Sequence, residues 1–237
     1  MVKDFTDFKN KHRGERCFVV GNGPSLNDTP MESLKNEYTI GCNRVYLGFP
    51  KWGYNFNYWG IEDTRVAKDT AKEWNEIDAD AKFIPKDLWH LVTDTDRCVP
   101  INFVRENPYT PTWPSYSINP DKIYWGFSVI YMMLQIACVM GFDPIYLIGM
   151  DHHYTRKTDT HERGNEAKLI SSGSDPDHFD PNYFAKGRKY HMPRTDMSTL
   201  AFNKAAREAA KYGITILNAS TFTKLNSFGK VDINKVI

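Results

Sequence analysis

Arg16-Cys17-Phe18-Val19-Val20-Gly21-Asn22-Gly23-Pro24-Ser25-Leu26 is the stretch from which the rest of the chain can be read. A short apolar strand runs into a Gly-Asn-Gly turn, and Pro24 stands where a helix would start. Such a turn sets backbone N–H groups and a positive helix end at a sheet edge, where a phosphate can sit. Gly21, Asn22, Gly23, Pro24 and Ser25 are therefore candidate nucleotide contacts. A tight strand-to-helix turn without a ligand explains Gly-x-Gly equally well. Two absences narrow the ligand. Leu26 stands where a dinucleotide fingerprint has its third glycine, and the next apolar run, Tyr38-Thr39-Ile40-Gly41-Cys42, ends in Asn43 rather than an acidic residue. No Gly-Lys-Ser/Thr follows, so the turn is not a Walker loop. Asn22 and Asn43 together favour a nucleotide that is neither NAD nor P-loop Mg-ATP.

At 237 residues the chain can bury a substantial core, and one α/β domain over 1–237 with an insertion is the simplest organisation. Thirty basic against 29 acidic residues leave a net charge of +1, which recommends no nucleic-acid partner. The polar start and the lack of a long apolar run predict neither a signal peptide nor a membrane-spanning helix. Cys17, Cys42, Cys98 and Cys138 are far apart and mostly in apolar segments, as expected of buried thiols in a reducing compartment. A cytoplasmic location fits that pattern.

Strand-like runs recur at 17–20, 38–42, 56–61, 81–84, 99–104, 145–148 and 214–217. Helical patterns fall between them: 62–76 is polar with apolar residues at helical spacing, and 127–140 is apolar nearly all round. Alanine-rich 199–212 ends at Gly213, a good helix stop. The alternation predicts a mostly parallel sheet with helices on both faces. Residues 152–194 break the rhythm, with little periodicity, many charges and five of the seven histidines. They leave the carboxyl edge of the sheet after the strand at 145–148, where ligands bind in open α/β folds, and their aromatics argue against disorder. We read them as a lid.

Within the lid, His191 is placed to take a proton from a sugar hydroxyl, with nearby Asp196 to fix its tautomer. The plainer alternative is a surface histidine before a helix that Thr195 or Asp196 caps. Tyr154 and Tyr183 are candidate donors to a departing phosphate, or else pack the lid onto the sheet. Arg156, Lys157, Arg188, Lys189 and Arg194 suit an anionic donor, although loop cations are ordinarily just solvated. Asp151, His152, His153, His161, His178 and Asp180 match no recognised metal-ligand spacing, so no metal is assigned; Asp151 is read as a ligand contact or helix cap.

Several segments now occur together in order: Gly21–Leu26, Cys42-Asn43-Arg44-Val45-Tyr46, Gly141-Phe142 leading into Ile145–Asp151, and His191 four residues before Thr195-Asp196. This series resembles the bacterial CMP-sialic-acid-dependent sialyltransferases of glycosyltransferase family forty-two. It is also similar to the MptE-like (6-hydroxymethylpterin diphosphokinase-like) group, which includes the central domain of flagellin-modifying Maf proteins. The resemblance implies a Rossmann-like fold and a CMP-activated nonulosonic acid as donor substrate, with no other cofactor and no metal. The implied acceptor is a glycan, a glycoprotein or a flagellin-like protein. By position it implies that Asn22, Asn43, Ser128 and Asp151 hold the nucleotide, that His191 is the general base, and that lid tyrosines assist the phosphate. Tyr154 is offset by one from the first of these tyrosines, the second has no clear counterpart, and Tyr190 replaces the glycine before the family's histidine. Homo-oligomers and peripheral membrane association are compatible with the resemblance. A Mg-ATP pyrophosphokinase acting on a pterin would need an acidic cluster, and Asp94 and Asp96 are the nearest acidic pair. A non-catalytic nucleotide- or glycan-binding module would keep Asn22 and Asn43 and make no use of His191.

Overall fold

Cys17–Val20 (β1) is buried at every position, as a strand covered on both faces must be, and its apolar side chains fit that place. The computed structural model describes residues 3–155, 159–162 and 165–237; Arg156 and Lys157 lie outside them. On one side β1 pairs with Tyr38–Cys42 (β2), followed by Tyr58–Gly60 (β3), Ala81–Pro85 (β4) and Cys98–Ile101 (β5). Phe103–Val104 (β6) and Ile123–Tyr124 (β7) form a separate parallel pair. Ile145–Ile148 (β8) returns to pair with the other side of β1. Thr160–Glu162 (β9), Asn165–Ile170 (β10) and Lys189–His191 (β11) build a small antiparallel sheet inside 152–194. Ile216–Asn218 (β12) and Gly229–Lys230 (β13) extend the main sheet, whose order is β13-β12-β8-β1-β2-β3-β4-β5. All its pairings are parallel, so the chain winds outward in both directions from β1 and the strand order reverses between β1 and β8.

The helices cover both faces. Phe49–Trp52 (α1), Thr64–Asp69 (α2) and Ala71–Asn75 (α3) lie on one face with a core that includes Phe18, Leu26, Trp59 and Trp74. Val129–Met140 (α4) and Thr195–Lys211 (α5) lie on the other with Cys17, Val19 and Phe142. Every residue of α4 is buried, the all-round apolar pattern expected of a helix between a sheet and another layer. Its one amide side chain, Gln135, is fully used: Oε1 accepts from Ser117 and Tyr124 N–H, and Nε2 donates to the Tyr124 and Tyr131 carbonyls. The open carbonyls at the end of α4 receive Asn10 and His12 N–H groups at 2.9 and 2.8 Å.

Three expectations are corrected. The helix expected over 62–76 starts after Asp63 and breaks at Thr70, whose hydroxyl donates to the Val66 carbonyl at 2.7 Å and competes with helix continuation. The strand expected over 99–104 divides at Asn102, because β5 follows β4 whereas β6 pairs with β7. Helix α5 begins at Thr195, a turn earlier than the apolar pattern suggested, with Arg194 as N-cap. All four cysteines are free and buried. No described helix is long and apolar enough to cross a membrane.

Candidate functional site

The carboxyl ends of β1, β2 and β8 meet where the strand order reverses, and the loops leaving them enclose a cavity of about 110 Å³. Two glycines let these loops touch. A Cβ on Gly21 would stand 2.3 Å from the Gly149 carbonyl oxygen, and one on Gly23 would stand 2.1 Å from Asp151 Oδ1. Three N–H groups here are used in the same contact: Gly21 donates to the Ile148 carbonyl, Gly23 to that of Gly149, and Ser25 to Asp151 Oδ2. Ser25 Oγ also donates to Asp151 Oδ1. These N–H groups are not free for a phosphate, contrary to the expectation from the Gly-Asn-Gly turn, and Pro24–Asp28 forms only a five-residue 3₁₀ segment. Gly21, Asn22, Gly23 and Asp151 line the cavity, whereas Pro24 and Ser25 do not, and Ser25 braces Asp151. Burial raises the Asp151 carboxyl above its usual range, partly offset by Ser25 and by the nearby His178.

Two asparagines give the cavity its chemistry. Asn22 Nδ2 donates to the Cys42 carbonyl at 3.3 Å, which turns Oδ1 the other way. The side-chain oxygens of both Asn22 and Asn43 are buried without a hydrogen-bond partner. An acceptor left so is destabilising by about 1–3 kcal/mol, and the deficit disappears when a ligand brings an N–H or O–H. Backbone strain collects at the same place. Asn43 (φ +48°), Phe127 (φ +59°) and His152 (φ +52°) are left-handed and line this cavity; Asn10 is the only other described non-glycine residue in that region. Cys42 also lines the cavity, but burial pushes its thiol up to about 12, so it is no nucleophile at neutral pH.

The helix end that faces the cavity belongs to α4. Phe127, Ser128, Val129 and Ile130 line the wall, and Ser128 Oγ caps the helix by accepting from Ile130 N–H. The twelve-residue α4 has a positive end that the 3₁₀ segment lacks. Pro193, Arg194 and Thr195, at the start of α5, close the opposite side. Of the described candidate cations Arg194 is the one found there, and its guanidinium is paired with Asp196 at 2.6 and 2.9 Å. Arg188 pairs instead with Asp69 and Glu73, away from the cavity.

A second cavity of about 480 Å³ adjoins the first and is lined mostly by residues between 152 and 195. His152, His153, Tyr154, Asp177 and His178 belong to both walls, and Phe184, Tyr190 and Met192 line the larger one. Tyr154 is 45% exposed, and its hydroxyl makes no hydrogen bond to a described residue. Tyr183 is buried at the wall of the first cavity, and its hydroxyl accepts from Arg44 N–H at 3.4 Å. His152 Nε2 meets Thr199 Oγ1 at 2.8 Å, and burial lowers its pKa, which keeps it neutral. His178 Nδ1 lies 2.9 Å from Asp175 Oδ2, and its ring stacks flat on Tyr183 at 3.9 Å.

His191 is not brought into either cavity. Tyr190 and Met192 face the larger cavity, so alternation along β11 turns His191 to the other side. There Nδ1 lies 2.9 Å from Asp63 Oδ2, and Asp63 replaces the expected Asp196 as its partner. Burial pushes the Asp63 carboxyl up, but His191 and the N–H groups of Val66 and Arg65 together hold it below its usual range. Sequence reasoning weighed His178 only as a metal ligand and missed Asp175. The available signal was the Asp175-x-x-His178 spacing. Among the described residues no three His, Cys, Asp or Glu side chains converge as metal ligands.

No family model and no curated protein sequence matches the chain. Among solved structures, the chain is similar to the sialyltransferase CstII from Campylobacter jejuni in complex with cytidine-5′-monophosphate. That similarity has 14% identity and a TM-score of 0.49, over 93% of this chain and 86% of that one. The same enzyme in complex with CMP-3FNeuAc gives 15% identity and a TM-score of 0.44, over 92% and 86%.

Proposed function

We propose that this protein is a glycosyltransferase that moves a nonulosonic acid from a CMP-activated donor to a hydroxyl of a glycan or glycoprotein, with inversion and without a metal. The observation that carries the reading is that Asn22 and Asn43, whose side-chain oxygens are buried and unpartnered, both line one cavity at the strand switch point. They call for hydrogen-bond donors. Ribose hydroxyls and a base amino group supply donors, whereas an ionised phosphate has none. The choice of cytidine and of a nonulosonic acid comes from the sequence resemblance.

In this reading Asn22, Asn43 and Asp151 hold the nucleoside, and the phosphate faces Ser128 and the start of α4. Displacement at the anomeric carbon passes through an oxocarbenium-like state, and the nucleotide leaves as a phosphate monoester. The helix end and the free Tyr154 hydroxyl stabilise the charge that develops on it. The larger cavity then receives the acceptor, and the reaction needs one base at its hydroxyl. We place the reaction in the cytoplasm, in keeping with four free, buried cysteines.

The test is release of CMP from CMP-activated nonulosonic acids in the presence of a metal chelator. Release that increases with added glycan acceptor supports the reading. Activity confined to ATP with magnesium would replace it with diphosphoryl transfer. CMP binding without turnover would indicate a binding module.

A further inference from the structure

We infer that His178, held by Asp175, is the base that takes the proton from the acceptor hydroxyl, and that the acceptor sugar occupies the larger cavity. The inference rests on the donor reading above. His178 stands on the wall common to both cavities, where a donor in the first and an acceptor in the second would meet. Its partner Asp175 has a fully buried side chain, with Oδ1 accepting from Asp177 N–H at 3.0 Å and Oδ2 from Phe184 N–H at 3.1 Å. A carboxylate fixed in this way selects the Nδ1–H tautomer and leaves the Nε2 lone pair free. Nε2 has no hydrogen-bond partner among the described residues.

Packing fixes the ring. It lies 3.9 Å from Tyr183 at an interplanar angle of 2°, and Phe184 meets it edge-on at 5.2 Å. The aromatic face of Tyr183 also favours the imidazolium that proton transfer creates. The cavity beyond suits a pyranose: Phe184 and Tyr190 stack at 4.2 Å to offer an apolar wall, while Tyr154, Asp177 and Lys224 bring polar groups. His191 has a carboxylate partner at the same distance but faces neither cavity.

In the step, His178 Nε2 takes the proton as the acceptor oxygen forms its bond to the anomeric carbon. The bond from that carbon to the phosphate oxygen breaks, and its electron pair leaves with CMP. Asp175 touches no reacting atom and acts by positioning the imidazole.

The experiment compares wild type, His178→Ala, His178→Gln and His191→Ala, measuring CMP affinity by calorimetry and sugar transfer with the same preparations. His178→Ala should lose transfer by about 10²–10⁴-fold, the usual contribution of a general base, while CMP affinity is kept. His178→Gln, which keeps a polar side chain against Asp175, should be equally inactive, and added imidazole should restore part of the His178→Ala rate. His191→Ala should transfer at close to the wild-type rate. Transfer surviving in both His178 variants, or lost in His191→Ala with CMP binding intact, would overturn the assignment and leave the donor reading standing. A wild-type protein that neither binds CMP nor transfers would overturn the donor reading and the base assignment with it.

Discussion

Two imidazole–carboxylate pairs stand at the carboxyl edge of this protein, His178–Asp175 and His191–Asp63, and both close at 2.9 Å. Their surroundings separate them. The His178 side chain is 14% exposed, stacked on Tyr183 and set between two cavities, whereas that of His191 is 40% exposed and turned from both. Asp63 has a second task as N-cap of α2, accepting from Arg65 and Val66 N–H at 2.7 and 3.1 Å. The same pair thus has two meanings. Where a free ring nitrogen meets a cavity it can move a proton, and where the carboxylate finishes a helix it holds structure.

The contrast breaks most readily at Asp175. Asp175→Asn should keep the shape but release the tautomer, lowering kcat by about 100-fold or more with KM and CMP affinity unchanged. An equal loss in Asp63→Asn would erase the distinction between the pairs. A smaller effect is expected at the nucleotide. Asn43→Gly removes the unpartnered oxygen while keeping the left-handed backbone, so CMP affinity should fall by about 1–2 kcal/mol without loss of melting temperature. Unchanged affinity in calorimetry would remove Asn43 from the site.

On the structural side, Asp63→Ala should lower stability by about 1 kcal/mol in urea unfolding through loss of the α2 cap, with transfer retained. A pH-dependent effect concerns neighbouring Glu62, whose burial, partly offset by Arg105, pushes its carboxyl up to about 7 from 4.5. The folded form holds that proton more tightly than the unfolded chain, so this group's contribution to stability falls as pH rises from about 4.5 to 7. Glu62→Gln should flatten that part of the curve of melting temperature against pH. A slope equal to wild type would show that Glu62 does not set it.

The sheet was legible because its signals are local. Cys17–Val20 and Ile145–Ile148 are short apolar runs beside glycine turns, and α4 is apolar on every side. Asn22, Asn43 and Asp151 follow from the same logic, since each stands at the end of a strand, while Ser128 came from the resemblance; all four line one cavity. The remainder depended on partners distant in the chain. The N–H groups of Gly21, Gly23 and Ser25 look free in sequence, yet residues 126–127 positions later take them. The direction of His191 depends on a three-residue strand in a segment without periodicity, where a one-residue slip reverses the face. His178 and Asp175 meet in a turn-rich stretch whose pattern predicts no element, so only the fold reveals that they share a wall.

The central claim is a nucleoside site at the β1/β8 switch point that works without metal, and calorimetric titration with CMP in the presence of a chelator tests it most directly. The account predicts saturable one-to-one binding in wild type, weakened in both Asn22→Ala and Asn43→Gly. Binding that requires magnesium, or that is unaffected by either substitution, would contradict it.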